Sequence, residues 1–175
     1  NGVMNFLYHA DQIITKKDDK FSLTKQGHDW LFTDPVLAMS FGAVGAYSCI
    51  LSELVPSLRN QKKYKEAEEY YDLLLQRRES ANGLIHSVTG SSWYSYARFQ
   101  NTKGDLNQAE KACRKALDIR TQLEEPDYED IGNTKLLLAQ ILLNTNQKKE
   151  ALKMAKAAMK SYKKTEDEDL VAEAE

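Results

Sequence analysis

Apolar residues recur at helical spacing in several segments of the chain, and short polar turns separate these segments. Three of the segments align on alanines that stand 42 residues apart, namely Ala67, Ala109 and Ala151. Around each alanine, apolar residues three or four positions apart share one face of a helix. A second apolar helix precedes each alanine, and polar turns at 60–63, 101–104 and 144–147 join the two. The pattern therefore predicts three antiparallel helical hairpins that bury their apolar faces by stacking.

The second hairpin carries a recognisable set of residues, Trp93-x-x-Tyr96-Ala97 followed by Ala109, Cys113 and Ala116. This spacing resembles the tetratricopeptide repeat family, whose usual period is about 34 residues. The longer period of this chain resembles the kinesin-light-chain subtype of that family. The resemblance covers residues 46–175 and implies an all-α, right-handed solenoid of antiparallel helical hairpins.

The resemblance also implies a binding surface, because in this family the first helix of each hairpin lines a concave groove. The groove residues that it assigns to this chain are Arg59, Asn60, Tyr94, Arg98, Asn101, Asn133, Gln140 and Asn144. Leu136 and Leu143 fall on the same helix face. Asn and Gln side chains can pair with the backbone of an extended peptide, and an arginine can hold a carboxylate in a two-pronged contact. The alternative is that these residues are merely solvated helix residues.

Residues 1–34 do not follow the repeat, so we expect an N-terminal piece distinct from the repeats of residues 35–175. Its pattern predicts a helix at 4–8, a β-hairpin formed by 12–15 and 21–23, and a further helix after Thr24. This order resembles the end of a winged-helix module. The alternative is a cap that covers the first hairpin. We also expect the chain to be part of a larger protein, with a fourth repeat starting near residue 168.

The balance of charge does not indicate a particular class of partner. The 175 residues include 24 basic and 26 acidic side chains, which leaves a net charge of −2. The uncharged stretch at 35–52 is interrupted by small polar residues and is better explained as a buried helix than as a membrane span. Two cysteines are too few for a disulfide framework and suit a cytoplasmic protein.

The chain lacks the usual sequence signs of catalysis. None of the three histidines has a partner at metal-ligand spacing, and the glycines at 41–46 lack the context of a phosphate loop. We therefore expect no metal, no cofactor and no enzymatic activity. A lysine stripe consists of Lys149, Lys153, Lys156, Lys160 and Lys163. It is expected to face solvent, with Leu152, Ala155, Met159 and Tyr162 on the opposite face of the helix. Nucleic acid is the less favoured partner for the stripe.

Taken together, the residues predict a protein–protein interaction module that binds a partner protein or an extended peptide in the concave groove. Two alternatives remain open. One is the signal-sensing domain of a winged-helix transcription regulator, and the other is a set of repeats that positions substrate for an enzyme domain elsewhere in a longer chain.

Overall fold

The computed structural model describes residues 14–17, 20–23, 58 and 61–172. Its elements, in chain order, are strands β1 (Ile14–Lys17) and β2 (Lys20–Leu23), and helices α1 (Tyr64–Asn82), α2 (Ser87–Lys103), α3 (Leu106–Thr121), α4 (Tyr128–Asn144) and α5 (Lys148–Ala172). Helices dominate the described chain, which confirms the predicted all-α class.

The two strands form an antiparallel β-hairpin, as predicted. Ile14 pairs with Leu23, and Lys17 pairs with Lys20 next to the turn. The first strand begins at Ile14, two residues later than the pattern indicated, and extends into the predicted turn. The helices predicted before and after this hairpin, the apolar stretch at 35–52 and the boundary at residues 34 and 35 lie outside the described residues. The division into two domains therefore stays a prediction.

The turn inside each helical hairpin has the same backbone conformation three times. A residue in the left-handed region stands at three positions 42 residues apart, with φ of 60° at Lys62, 92° at Gly104 and 62° at Asn146. The next backbone N–H then donates to the carbonyl five residues before it. These bonds join Lys63 to Leu58 at 2.9 Å, Asp105 to Gln100 at 3.0 Å and Gln147 to Leu142 at 2.8 Å. This geometry closes the end of a helix and confirms the predicted period.

The aligned alanines pack as the pattern predicted. Ala67, Ala109 and Ala151 are all buried. From residue 78 onwards, the chain forms one compact unit in which α3 packs against both α2 and α4, and α4 packs against α5. Short side chains at the contacts let antiparallel helices approach closely. The largest fully buried side chains of this unit are Phe99, Ile119, Leu138, Ile141 and Leu142.

Side chains just outside three helices define where these helices begin. His86 Nδ1 accepts a hydrogen bond from the N–H of Val88, which caps α2. Asp105 accepts from the N–H of Gln108 at the start of α3, and Asp127 accepts from the N–H of Asp130 at the start of α4. Each acceptor satisfies one backbone donor that the helix itself leaves unpaired. His86 therefore has a structural role.

The last helix is longer than predicted. It runs for 25 residues from Lys148 to Ala172, so the acidic residues 166–169 lie inside it. The prediction that a new helix starts near residue 168 was wrong. The physical reason is that residues 148–172 contain neither glycine nor proline, so nothing in the backbone ends the helix earlier.

The lysine stripe of α5 is exposed, but two residues predicted to lie opposite it are exposed as well. Leu152 and Met159 are 58% and 71% exposed, whereas Ala151, Ala158 and Ser161 form the buried face of the helix. These two apolar residues therefore do not belong to the buried face. Leu152 stands 42 residues after Glu110, which accepts a hydrogen bond from Gln147 in the turn after α4. Position 152 is thus equivalent to a position of α3 that faces the following hairpin.

Candidate functional site

The groove face consists of the predicted binding residues that the structure describes, together with two leucines. Its members are Tyr94, Arg98 and Asn101 on α2, and Asn133, Leu136, Gln140, Leu143 and Asn144 on α4. On each helix these residues recur at spacings of three and four, so they lie on one side of it. The two helices are in contact with each other. The predicted residues Arg59 and Asn60 lie outside the described part of the chain.

On α2, an aromatic ring lies next to two guanidinium groups. The ring centroid of Tyr94 is 5.9 Å from Cζ of Arg98 and 4.8 Å from Cζ of Arg120. Both distances are within the range of cation–π attraction. Tyr94 is half-buried, whereas Arg98 is exposed and offers its donors to solvent. Asn101 is half-buried, and its Oδ1 accepts no hydrogen bond from the described residues.

Arg120, near the end of α3, is a buried residue that the sequence analysis did not single out. Its Nη1 donates to the carbonyl of Asp130 at 2.8 Å and to Oγ1 of Thr134 at 2.6 Å. Its Nη2 lies 3.0 Å from a carboxylate oxygen of Asp130. Burial lowers the pKa of Arg120, and the charge of Asp130 partly offsets this effect. The guanidinium thus ties α3 to the first turns of α4 and supports the ring of Tyr94.

The groove-face residue Asn133 has a partner within the protein. Its Oδ1 accepts a hydrogen bond of 2.9 Å from the hydroxyl of Tyr162 on α5. Burial raises the pKa of Tyr162, and the nearby hydroxyl of Tyr94 and the carboxylate of Glu129 raise it further. The amide oxygen of Asn133 is therefore already used within the protein, which makes this residue less available to a ligand than was predicted.

Two glycines explain how these side chains reach the groove face. Gly90 and Gly132 stand 42 residues apart, and Arg120 and Tyr162 each follow one of them by 30 residues. A Cβ at residue 90 would lie 3.1 Å from Cγ of Arg120, and one at residue 132 would lie 2.6 Å from Cε1 of Tyr162. The same repeat position therefore holds an arginine in one hairpin and a tyrosine in the next. This shared spacing is the signal that could have identified Arg120 from the sequence.

On α4, the groove face is open to solvent. Gln140 and Asn144 are exposed, and Leu136 and Leu143 are 52% and 57% exposed. Along the helix, successive members of this set lie four, three and one positions apart, so they form a continuous strip. The strip combines apolar surface with amide groups that can both donate and accept hydrogen bonds.

A separate polar cluster joins the end of α1 to α2 and α3. Oε1 of Glu79 accepts a hydrogen bond of 2.9 Å from Nε1 of Trp93 and one of 2.8 Å from Nζ of Lys115. Nζ of Lys115 also lies 4.0 Å from the centroid of the Trp93 ring. Burial opposes ionisation of Glu79, but these donors outweigh it, and the pKa of the carboxyl is lowered. The cluster is satisfied internally and has a structural role.

The described residues contain few features suited to chemistry. Cys113 is buried, and its Sγ donates to the carbonyl of Thr134 at 3.4 Å. Burial raises the pKa of this thiol to about 12, which keeps it protonated and unreactive. Within the described ranges, no group of three or more potential ligands is placed to hold a metal ion. None of the described helices is both long enough and apolar enough to cross a bilayer.

The alternation of first and second helices, with the same turn in each hairpin, defines the class of helical-hairpin repeat proteins. Comparison with protein families agrees with this class. Tetratricopeptide repeat models match residues 88–164 and residues 50–87. Together these matches cover most of the chain, and the chain therefore belongs to the tetratricopeptide repeat family. Repeats of this family are protein–protein interaction modules and typically non-catalytic scaffolds.

Comparison with solved structures supports the same fold. The chain is similar to BtubC (BKLC) from P. vanneervenii, a kinesin-light-chain-like protein, with a TM-score of 0.68 and 19% sequence identity. The match covers 75% of this chain and 51% of that protein, so this chain spans about half the length of its structural relative. The comparison with curated proteins found no match.

Proposed function

We propose that the groove face binds an extended segment of a partner protein, with the open strip on α4 as its main contact. The observation that carries this proposal is the exposure of Leu136 and Leu143 beside two exposed amides, Gln140 and Asn144. A single exposed leucine needs no explanation, but apolar surface grouped with polar groups on one helix face is typical of a binding surface.

The spacing of the strip favours a particular shape of ligand. Leu136 and Leu143 are seven residues apart, which corresponds to about 10 Å along a helix. In a polyproline II segment, side chains three residues apart point the same way and are separated by about 9 Å. Two apolar side chains of such a segment would meet the two leucines. Gln140 lies between them and would pair with the backbone of the segment.

Arg98 is the best candidate for recognition of charge on the groove face. It is exposed, and its guanidinium lies near the ring of Tyr94, which limits the number of conformations that it can adopt. A carboxylate of the partner would form a bidentate contact with such a group. Arg120 cannot serve in this way because it is buried and both of its terminal nitrogens already make contacts within the protein.

The proposal treats the chain as non-catalytic and gives no part to nucleic acid. The lysine stripe of α5 is exposed, but the aromatic residue nearest to it in sequence, Tyr162, packs on α4 rather than beside the lysines. Stacking of bases on aromatic rings is the usual complement to a basic surface in single-strand binding. The stripe is therefore better explained as a solvated face.

The experiment that tests the proposal is selection of a displayed random peptide library on the chain, followed by affinity measurement for the selected peptides. Leu136→Asp and Arg98→Glu should each weaken binding at least tenfold, because they place charge on the groove face. Leu152→Asp is the matched control, since Leu152 is similarly exposed but lies on α5. Equal weakening by Leu136→Asp and Leu152→Asp, or failure to select any peptide, would contradict the proposal.

A further inference from the structure

A cavity of about 210 Å³ lies where the end of α3 meets α4 and α5, and we call it the lysine cavity. Its lining includes Lys135 of α4, Lys160 and Lys164 of α5, and the hydroxyl-bearing residues Thr121, Tyr128 and Ser161. None of these belongs to the groove face. The volume is several times the roughly 30 Å³ that one water molecule occupies in the liquid. The lysine cavity can therefore hold a small polar group.

The charge in the lysine cavity is of one sign. No acidic residue is among its described lining residues, and none of its three lysines forms an ion pair with a described carboxylate. Nζ of Lys135 donates to Oγ of Ser161 at 2.8 Å, and Nζ of Lys164 lies 4.5 Å from the ring centroid of Tyr128. Burial lowers the pKa of Lys135, and the charge of Lys164 lowers it further.

The preceding hairpin contains a carboxylate at the equivalent place. Thr121 stands 42 residues after Glu79, and Lys135 stands 42 residues after Trp93. Gly132 likewise corresponds to Gly90, and Tyr162 corresponds to Arg120. In the earlier position, the carboxylate of Glu79 accepts hydrogen bonds from Trp93 and Lys115. In the later position, Thr121 lines the lysine cavity and its shorter side chain bonds back to the carbonyls of Leu117 and Asp118. In the later hairpin, Lys135 replaces the donor Trp93 and Ala157 replaces the donor Lys115, while the carboxylate of Glu79 is replaced by the hydroxyl of Thr121. A donor therefore remains there without the carboxylate that would accept from it.

We propose that the lysine cavity binds a single carboxylate group, which occupies the place that Glu79 fills in the preceding hairpin. Lys135 and Lys164 supply the positive charge, and Ser161 holds Lys135 in place by accepting a hydrogen bond from its Nζ while donating to the carbonyl of Ala157. A bound carboxylate relieves the repulsion between the ammonium groups, because an opposite charge stabilises the protonated form of each. This site does not depend on the groove face, and either proposal can fail without the other.

Acetate is the probe for this site, with inorganic phosphate as a second arm at matched ionic strength. The amide signals of Tyr128, Lys135 and Ser161 are followed by heteronuclear NMR while acetate replaces chloride. We expect saturable shifts at these amides. The double variant Lys135→Ala with Lys164→Ala should weaken acetate at least fivefold. The control variant Lys149→Ala with Lys153→Ala removes the same charge from the exposed stripe and should leave the affinity unchanged.

A variant that supplies the carboxylate internally tests the comparison of the two hairpins. Thr121→Glu should abolish the acetate-dependent shifts, whereas the neutral variant Thr121→Gln should retain them. Circular dichroism of each variant establishes that its helices are intact. Unchanged acetate affinity in Thr121→Glu overturns the proposal, as do unsaturable shifts that are equal in all variants. Saturable shifts with phosphate but none with acetate would overturn the assignment to a carboxylate.

Discussion

Gly132 lies directly under the ring of Tyr162, and replacing it with alanine tests whether the packing of α4 on α5 requires a residue without a side chain. The added Cβ would lie 2.6 Å from Cε1 of the ring and 2.9 Å from Cδ1 and Cζ. Carbon atoms in contact are normally about 3.5–4.0 Å apart, so the ring has to move by about 1 Å. Such a movement also disrupts the 2.9 Å hydrogen bond from Tyr162 to Asn133.

The expected loss of stability can be estimated from three contributions. Forcing an extra carbon into a packed contact costs about 1–3 kcal/mol. Loss of the hydrogen bond to Asn133 costs about 1 kcal/mol. Alanine is favoured over glycine within a helix by about 1 kcal/mol, which offsets part of this cost. The net destabilisation by Gly132→Ala is about 2 kcal/mol, which corresponds to a Tm lower by roughly 4–8 °C in a chain of this size.

The same substitution should have the opposite sign when the ring is absent. In a Tyr162→Ala background, Gly132→Ala meets no ring and only the helix preference remains, so the Tm should rise by about 3 °C. The four proteins of this double-mutant cycle are compared by far-UV circular dichroism during thermal and urea unfolding. Stabilisation by Gly132→Ala in both backgrounds, or an equal loss in both, would refute this account of the contact. Gly90→Ala provides a milder case, because the nearest atom is in the flexible stem of Arg120.

Three further predictions follow from buried or paired groups. Arg120→Ala should lower the free energy of unfolding by about 2–4 kcal/mol, because Asp130 loses its partner. Arg120→Met should lower it by less, because methionine keeps the apolar packing of the arginine side chain. Equal losses for the two variants in urea unfolding would contradict this. In a Cys49→Ser background, the protonated thiol of Cys113 should react with DTNB only as fast as the protein opens, and fast reaction under native conditions would contradict its burial. Because the folded pKa of Glu79 is lowered, its stabilisation is present above the ordinary value of 4.5 and is lost as the pH falls through the folded pKa. Glu79→Gln should therefore lower the free energy of unfolding at neutral pH by less than about 1 kcal/mol. A difference between this variant and the unmodified protein that persists in acid would argue against the ion pair.

The helical architecture could be predicted because its signals are local. The period of 42 residues is visible in the alanines, and two of the three turns carry a residue type that tolerates positive φ, Gly104 and Asn146, at the position that adopts it. The β-hairpin was predicted from two short segments on either side of a charged turn, and its pairing is confirmed. These features depend on neighbouring residues in the chain, so a pattern of residue types is sufficient to find them.

The details of the candidate site depend on contacts between distant residues and were harder to predict. The buried role of Arg120 arises from Gly90, Asp130 and Thr134, none of which is its neighbour in sequence. Helical spacing placed Leu152 opposite the lysine stripe, but it did not show which residues of α5 pack against α4. The structure instead uses small residues for that contact and leaves Leu152 exposed. The groove face itself stays a prediction, since no observation yet shows a partner on it.

The left-handed turn that recurs at Lys62, Gly104 and Asn146 has a consequence for synthesis on the ribosome. Each turn closes between residues only five positions apart, so it forms as soon as a short stretch of chain has emerged. The two helices that it joins are adjacent in sequence and can pair before the next hairpin is translated. Each completed hairpin then offers its surface to the following one, so the chain can mature from its N-terminal side in steps of one repeat.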